Sequence, residues 1–193
     1  MAISLTKGQN SSLTKDNPGL KSVKVGLGWE VRATAGDAFD LDASAFLLAE
    51  SGKVRGEHDF IFYNQPNSTC GSVNYMGDNR TGDGAGDDEV IEVHFDKVPA
   101  DVVRIVVAVT IHEAAERRQS FGQVRNAFIR VLDNAGGQEL VRFDLSEDYS
   151  TETSMLFGEL YFHNGQEWKF RALGQGYPGG LQQLAASHGV TLA

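Results

Sequence analysis

The chain has 193 residues, of which 41% are hydrophobic and 22% charged, values typical of a globular protein with one domain over residues 1–193. Its formal net charge of -9 argues against a nucleic-acid partner and favours cations, because phosphate binding needs a surplus of Lys and Arg. Cys70 is the only cysteine, which excludes an intrachain disulfide, and the five histidines show no zinc-ligand spacing.

The first residues, M-A-I-S-L-T-K-G, lack the basic and apolar regions of a secretory signal. No apolar run approaches the length of about 18 residues that a membrane-spanning helix needs. We therefore expect a cytoplasmic protein that does not insert into a membrane directly.

Hydrophobic periodicity predicts a succession of short strands. Residues 23–31 alternate apolar and polar side chains, as a half-buried strand does, and residues 91–95 repeat the pattern. The run R-I-V-V-A-V-T-I (104–111) is apolar on both faces and predicts a central strand. The remaining strand candidates, in chain order, are residues 43–49, 59–63, 127–132, 139–145, 154–162 and 167–172.

The connecting segments favour antiparallel hairpins and little helix. D-N-A-G-G-Q (133–138) and H-N-G-Q-E (163–167) contain Asn and Gly residues that tolerate positive φ in tight turns. Residues 113–118 are compatible with one helical turn, and residues 181–188 predict a short C-terminal helix that ends at Gly189. The sequence therefore predicts an all-β sandwich or barrel with a short C-terminal helix.

An acidic, glycine-rich stretch, G-D-N-R-T-G-D-G-A-G-D-D-E (77–89), is the strongest functional signal. It contains five carboxylates, and Arg80 is its only positive charge. Two like charges about 4 Å apart repel by about 4 kcal/mol at a protein surface. A folded loop that brings these side chains together needs a counterion, and calcium suits such a loop because it prefers carboxylate and carbonyl oxygens.

Other interpretations of the stretch are weaker. Counted from Asp78, Arg80 and Gly82 stand where an EF-hand needs ligands, and no Gly-Lys-Ser/Thr sequence follows for a phosphate loop. The G-x-G-x-D pattern of calcium-binding β-helices occurs once and cannot stack. A solvated turn between two strands remains the plain structural alternative. A second acidic cluster, Asp37, Asp40 and Asp42, favours a metal site if the fold brings both segments to one end.

Other candidate residues are better explained by structure. His112 and Glu113 could form an acid-base pair, but no nucleophile or metal ligand accompanies them at a recognisable spacing, so we favour a structural or rim role. Trp29 and Trp168 lie in strand patterns and predict core packing.

Several motifs together resemble the bacterial tellurite-resistance TerD family, in the same order and over essentially the whole chain. They are V-G-L-G-W (25–29), F-D-L-D-A-S-A-F-L-L (39–48), D-F-I-F-Y-N (59–64), the acidic stretch 77–89, R-R-Q-S-F-G-Q-V (117–124), S-T-E-T (150–153) and G-E-L-Y (158–161). The resemblance implies a sandwich of two antiparallel sheets that binds calcium, more than one ion, through acidic loops. It also implies a non-catalytic role in tellurite resistance and in stress or phage defence, beside an integral-membrane protein of the same system, which would place the chain peripherally at the inner membrane through that partner.

The resemblance, together with the acidic pattern, gives a predicted set of calcium ligands. The similarity covers F-D-L-D without change, whereas Ala85 replaces a common Asp of the family motif, and Asp148 is a weaker candidate. The predicted ligands are Asp40, Asp42, Asp78, Asn79, Thr81, Gly82, Gly84, Asp87, Asp88 and Glu89. The alternatives from other classes are an enzyme that modifies tellurite or uses acidic residues, and a calcium-dependent carbohydrate or adhesion module.

Overall fold

The computed structural model describes residues 2–30, 39–78, 86–145 and 151–192. These residues form twelve strands, two α-helices and three short 3-10 turns. The strands are β1 (Ile3–Leu5), β2 (Asn10–Ser12), β3 (Ser22–Glu30), β4 (Leu41–Leu48), β5 (Phe60–Ile61), β6 (Val73–Asp78), β7 (Glu89–His94), β8 (Arg104–Ile111), β9 (Arg125–Asp133), β10 (Glu139–Asp144), β11 (Ser154–His163) and β12 (Glu167–Tyr177). The helices are α1 (Ala114–Arg117) and α2 (Gly180–Ser187), and the 3-10 turns are Glu57–Asp59, Phe95–Lys97 and Phe121–Gln123.

The strands form two six-stranded sheets. Sheet I has the order β1-β10-β9-β3-β7-β6, and sheet II has the order β2-β12-β11-β8-β4-β5. Every pair between these strands is antiparallel except β1 with β10, which is parallel. The predicted all-β sandwich with a short C-terminal helix is confirmed, and β8 is the central strand that its apolar sequence predicts.

The main core lies between the sheets and follows the alternation of side chains along each strand. In β3 the buried residues Val23, Val25 and Leu27 face this core, and in β7 Ile91 and Val93 do the same. Trp29 and Trp168 belong to it as well, which confirms their predicted role.

A second apolar layer covers the outer face of sheet II, the face directed away from the sandwich interior. It contains Phe46 of β4 and Val106 of β8, on which Leu184 and Ala185 of α2 pack. Strands β4 and β8 are thus buried on both faces, which explains their continuous apolar sequences.

Several predicted strand boundaries are wrong, and two examples show why. The candidate 59–63 contributes only two residues to a strand, because Phe62 and Gln65 exchange backbone hydrogen bonds at 3.2 and 2.9 Å in a turn. The candidate 167–172 extends to Tyr177 along β11. No helix in the four described ranges is long and apolar enough to cross a bilayer.

Candidate functional site

The acidic stretch connects two paired strands of sheet I. Strand β6 ends at Asp78 and β7 begins at Glu89, and these two residues are register partners. The predicted ligands Asn79, Thr81, Gly82 and Gly84 lie outside the described residues, as does Asp148. The side chain of Asp78 is likewise not described, so these predictions are untested.

Glu89 points into the sandwich and contacts the opposite sheet. It alternates with Val90 along β7, so its side chain shares the interior face with Ile91 and is 0% exposed. Its Oε2 accepts a hydrogen bond of 3.3 Å from the backbone N–H of Ala43 in β4. Ala43 lies two residues before Ala45, the first residue of β4 that pairs with β5. A carboxylate thus links the two sheets at the exit of the acidic stretch.

Asp88 binds the end of β3 through its backbone and its side chain. Its N–H donates to Leu27 O at 2.7 Å, and its Oδ2 accepts from the backbone N–H of Trp29 at 3.0 Å. The residue is 9% exposed. Two consecutive carboxylates, those of Asp88 and Glu89, are therefore withdrawn from water.

Asp87 lies on the outer face of sheet I. Its Oδ1 accepts a hydrogen bond of 2.7 Å from Arg130 Nε, and Arg130 Nη1 contacts Glu139 Oε2 at 3.1 Å. The hydrogen bond to Asp87 raises the pKa of Arg130 above its usual value, although burial opposes the rise. The sequence analysis did not identify Arg130 as a functional residue. Its only local signal was its outward position in the alternating strand β9.

The segment that contains Asp40 and Asp42 meets the exit of the acidic stretch at the backbone of Ala43, but the Asp42 side chain points elsewhere, and Asp37 lies outside the described residues. Leu41, Ala43 and Ala45 face the main core, so Asp42 faces outward with Phe46. Glu89 reaches the backbone of β4 from the interior side. Asp42 and Glu89 consequently lie on opposite faces of sheet II.

His112 contacts both Asp40 and Asp42. The backbone N–H of His112 donates to the backbone oxygen of Asp40 at 2.8 Å, and the ring Nδ1 of His112 lies 3.5 Å from Asp42 Oδ2. Its Nε2 lies 3.5 Å from Glu113 Oε1, and Glu113 in turn pairs with Arg117 at 2.9 Å. Asp42, His112 and Glu113 line a cavity of about 450 Å³ next to the start of α2. His112 and Glu113 thus line the rim of a pocket.

The donor chemistry at the exit of the acidic stretch fits calcium. Asp88 and Glu89 provide buried carboxylate oxygens, the hard ligands that calcium prefers. Within the ranges that the structure describes, no three His, Cys, Asp or Glu side chains are grouped so as to hold a metal ion. A complete site there needs oxygen atoms from residues 78–85.

Comparison with known proteins assigns a family. Residues 1–188 match the TerD domain. The chain is 60% identical over 190 residues to "Tellurium resistance protein TerD" of Serratia marcescens, with 98% of each chain covered. It is 52% identical over 191 residues to "General stress protein 16U" of Bacillus subtilis (strain 168), again with 98% of each covered.

A solved structure shares the fold. The crystal structure of the unknown function protein SAV2460 matches with a TM-score of 0.73 at 23% identity, covering 90% of this chain and 99% of that one. At this identity the likeness extends to the architecture alone.

Proposed function

Since the chain belongs to the TerD family, a family of tellurium resistance and general stress proteins, we propose that it is a calcium-binding, non-catalytic component of such a resistance system. The proposal includes action in the cytoplasm beside an integral-membrane protein of that system, as the family resemblance implies. The relatives' names support the resistance role, and calcium binding is supported by the chemistry of the described carboxylates.

The burial of Glu89 next to Asp88 is the observation that carries the proposal. A carboxylate removed from water is costly unless charge and hydrogen bonds compensate it. The backbone N–H groups of Ala43 and Trp29 supply neutral donors to these two side chains. A divalent cation bound beside these two buried carboxylates would interact favourably with both of their charges.

In this proposal Asp88 and Glu89 hold calcium together with oxygens from the stretch 78–85, where Asp78, Asn79 and Thr81 are predicted ligands. Asp40 and Asp42 would serve a separate ion on the outer side of sheet II, because Asp42 faces away from Glu89. Bound calcium would cancel the repulsion between carboxylates and present a defined surface to a partner protein.

Thermal unfolding in calcium, magnesium and chelator tests the proposal. At a calcium concentration of a hundred times Kd, the free energy of unfolding should rise by about 2.7 kcal/mol over the chelator sample. Calorimetric titration then gives stoichiometry and affinity. Micromolar affinity indicates a sensor and nanomolar affinity a permanently occupied structural site. Equal melting temperatures in all three solutions would exclude calcium binding.

Glu89→Gln and Glu92→Gln form a matched pair for the same test. Glu92 lies on the same strand as Glu89 but on its outer side, where its side chain contacts His94 at 3.3 Å. Glu89→Gln should weaken calcium binding, and each tenfold loss of affinity removes about 1.4 kcal/mol of binding free energy. Glu92→Gln should bind calcium as the wild type does. Equal effects of the two variants would contradict a role for Glu89 in the site.

The alternative function, a tellurite-modifying enzyme, is favoured by the surroundings of Cys70. Burial disfavours its thiolate, but hydrogen bonds with Ser72 and Ser68 outweigh burial and hold the pKa of Cys70 below its usual value. The thiolate is the reactive form of cysteine. Tellurite loss in the presence of purified protein and a thiol reductant, abolished by Cys70→Ser, would establish the enzyme. Equal rates with wild type, variant and reductant alone support the non-catalytic role.

A further inference from the structure

The carboxylate of Asp87 lies across a glycine of the neighbouring strand. Gly26 of β3 is the register partner of Val90 in β7 on one side and of Arg130 in β9 on the other. Asp87 comes three residues before Val90, and its carboxylate reaches Arg130 over the backbone of Gly26. A Cβ atom placed on Gly26 would lie 2.1 Å from Asp87 Oδ2 and 2.7 Å from Oδ1. Only glycine leaves room for this contact.

The other glycine of V-G-L-G-W has a different occupant. Gly28 is the register partner of Phe128, and a Cβ atom on Gly28 would lie 2.4 Å from the Phe128 ring. The Arg142 guanidinium lies over the Phe128 ring, 3.9 Å from the ring centroid. Among the described residues, Asp87 of the acidic stretch lies over Gly26 and Phe128 lies over Gly28, both on the outer face of sheet I.

Two carboxylates hold Arg130 next to Gly26. It contacts carboxylates of both Asp87 and Glu139, at 2.7 and 3.1 Å. The Asp87 side chain is 10% exposed, so the pair is not a loose surface contact. The next residue, Asp88, is hydrogen-bonded to Leu27 and Trp29 of β3, the strand that contains Gly26. The exit of the acidic stretch is therefore fixed at two consecutive residues, with Asp87 bound to β9 across Gly26 and Asp88 bound to β3.

We propose that Asp87, Gly26 and Arg130 form a clamp that positions the adjacent carboxylates of Asp88 and Glu89 for calcium, with Asp87 acting as an anchor and not as a ligand. This inference rests on the proposed calcium binding. The clamp holds the backbone before Asp88 and Glu89 in the bound arrangement, so less conformational freedom is lost when the ion binds. Groups that orient metal ligands in this way typically change metal affinity by about 10- to 100-fold when they are removed.

The clamp and simple electrostatics predict opposite changes in calcium affinity for Arg130→Gln. Removing a positive charge near a cation site should strengthen calcium binding through Coulomb interaction alone. Loss of the clamp should weaken it. Arg142→Gln is the matched control, because Arg142 is the register partner of Arg130 on the same outer face and has its own carboxylate, Asp144, at 2.9 Å.

The experiment is calorimetric titration of calcium chloride into the full chain, as wild type and as Asp87→Asn, Arg130→Gln, the double variant and Arg142→Gln. Each single variant of the clamp should weaken binding by roughly tenfold, and the double variant should be no weaker than either single one, because both changes remove one contact. Arg142→Gln should leave Kd unchanged. Arg130→Lys keeps a charge and a donor and should recover part of the affinity. Circular dichroism confirms that each variant is folded at the titration temperature.

The outcomes separate the two proposals. A wild type that takes up no calcium removes the proposed function and the clamp with it. A wild type that binds, with Arg130→Gln equal or tighter, leaves calcium binding in place and overturns the clamp. Additive losses for Asp87→Asn and Arg130→Gln would also overturn it, since they would show that Asp87 acts on the ion without Arg130. Gly26→Ala, which displaces Asp87 by steric contact, should reproduce the loss seen with Arg130→Gln.

Discussion

The two outer faces of the sandwich are stabilised in different ways. On sheet I, the side chains of Asp87 and Phe128 lie over glycines of β3, and charged side chains pair, as Asp87 does with Arg130 and Arg142 with Asp144. On sheet II, Phe46 and Val106 form an apolar layer that α2 covers. The first face depends on directional contacts with partial access to water, whereas the second depends on burial. Substitutions on the two faces should therefore differ in size and in their response to pH and salt.

Phe46→Ala should have the largest effect on stability. Phe46 is 0% exposed and stacks between Phe60 and His188, each with a ring centroid at 4.6 Å. Removing a buried aromatic ring leaves a cavity and costs about 3 to 5 kcal/mol. Urea unfolding in chelator measures this loss. Phe128→Ala, on the half-open face of sheet I, should cost about 1 to 2 kcal/mol. Equal losses would show that the two faces do not differ as described.

Leu184→Ala tests whether α2 is the element that closes the second layer. Leu184 is 1% exposed, whereas Gln182 on the same helix is exposed. We expect a loss of about 2 to 3 kcal/mol for Leu184→Ala and less than about 0.5 kcal/mol for Gln182→Ala. The measurement is urea unfolding together with the rate of proteolysis near the C-terminus. Indistinguishable variants would mean that α2 does not protect this face.

His188 should make the covered face sensitive to acid. Burial lowers the pKa of His188, and the charges of Lys53 and Arg104 lower it further, while its Nδ1–H bond to Leu184 O, 2.9 Å long, acts in the opposite direction. Because the pKa of His188 is lower in the folded state, neutral His188 contributes its full stabilisation above the pKa of histidine in the unfolded chain, about 6.5. This contribution is lost as the pH falls below that value.

The comparison of wild type with His188→Gln isolates this effect. Both proteins are unfolded in urea at a pH above 7 and at a pH near 5. The variant loses the stacking with Phe46 at both values, so only the change with pH is informative. On acidification the wild type should lose more free energy of unfolding than the variant. This difference should be smaller than the losses expected for Phe46→Ala and Leu184→Ala. Parallel losses would remove His188 as the titrating group.

The same contrast explains how much of the fold could be predicted from the sequence. The alternation of apolar and polar residues identified strands of sheet I, such as β3 and β7, because the outer faces of these strands are polar. The continuous apolar run of β8 indicated a strand buried on both faces, but could not identify α2 as its cover, since that contact joins distant parts of the chain. Strands β1 and β2 have three residues each, too few for a periodic signal.

For the site, the sequence identified two acidic segments but left open whether they meet, and it did not predict which way their side chains point. The Asp42 and Glu89 segments do meet, at Ala43. The outward direction of Asp42 could have been read from the apolar residues that flank it in β4. The contact of Asp87 with Arg130 could not be predicted from the sequence, because it depends on the pairing of β7, β3 and β9 on either side of Gly26.

Arg142→Gln should have the smallest effect on stability. The side chain lies over Phe128 at 3.9 Å and contacts Asp144, whose side chain is 60% exposed, at 2.9 Å. A cation–π contact at an exposed site and a solvated ion pair each contribute at most about 1 kcal/mol, and salt screens the ion pair. Urea unfolding at low and at high salt should show a loss of less than about 1 kcal/mol that shrinks as salt increases. A loss as large as that of Phe46→Ala, unchanged by salt, would instead mean that Arg142 acts through the packing of its methylene groups, and the outer face of sheet I would then resemble the face beneath α2.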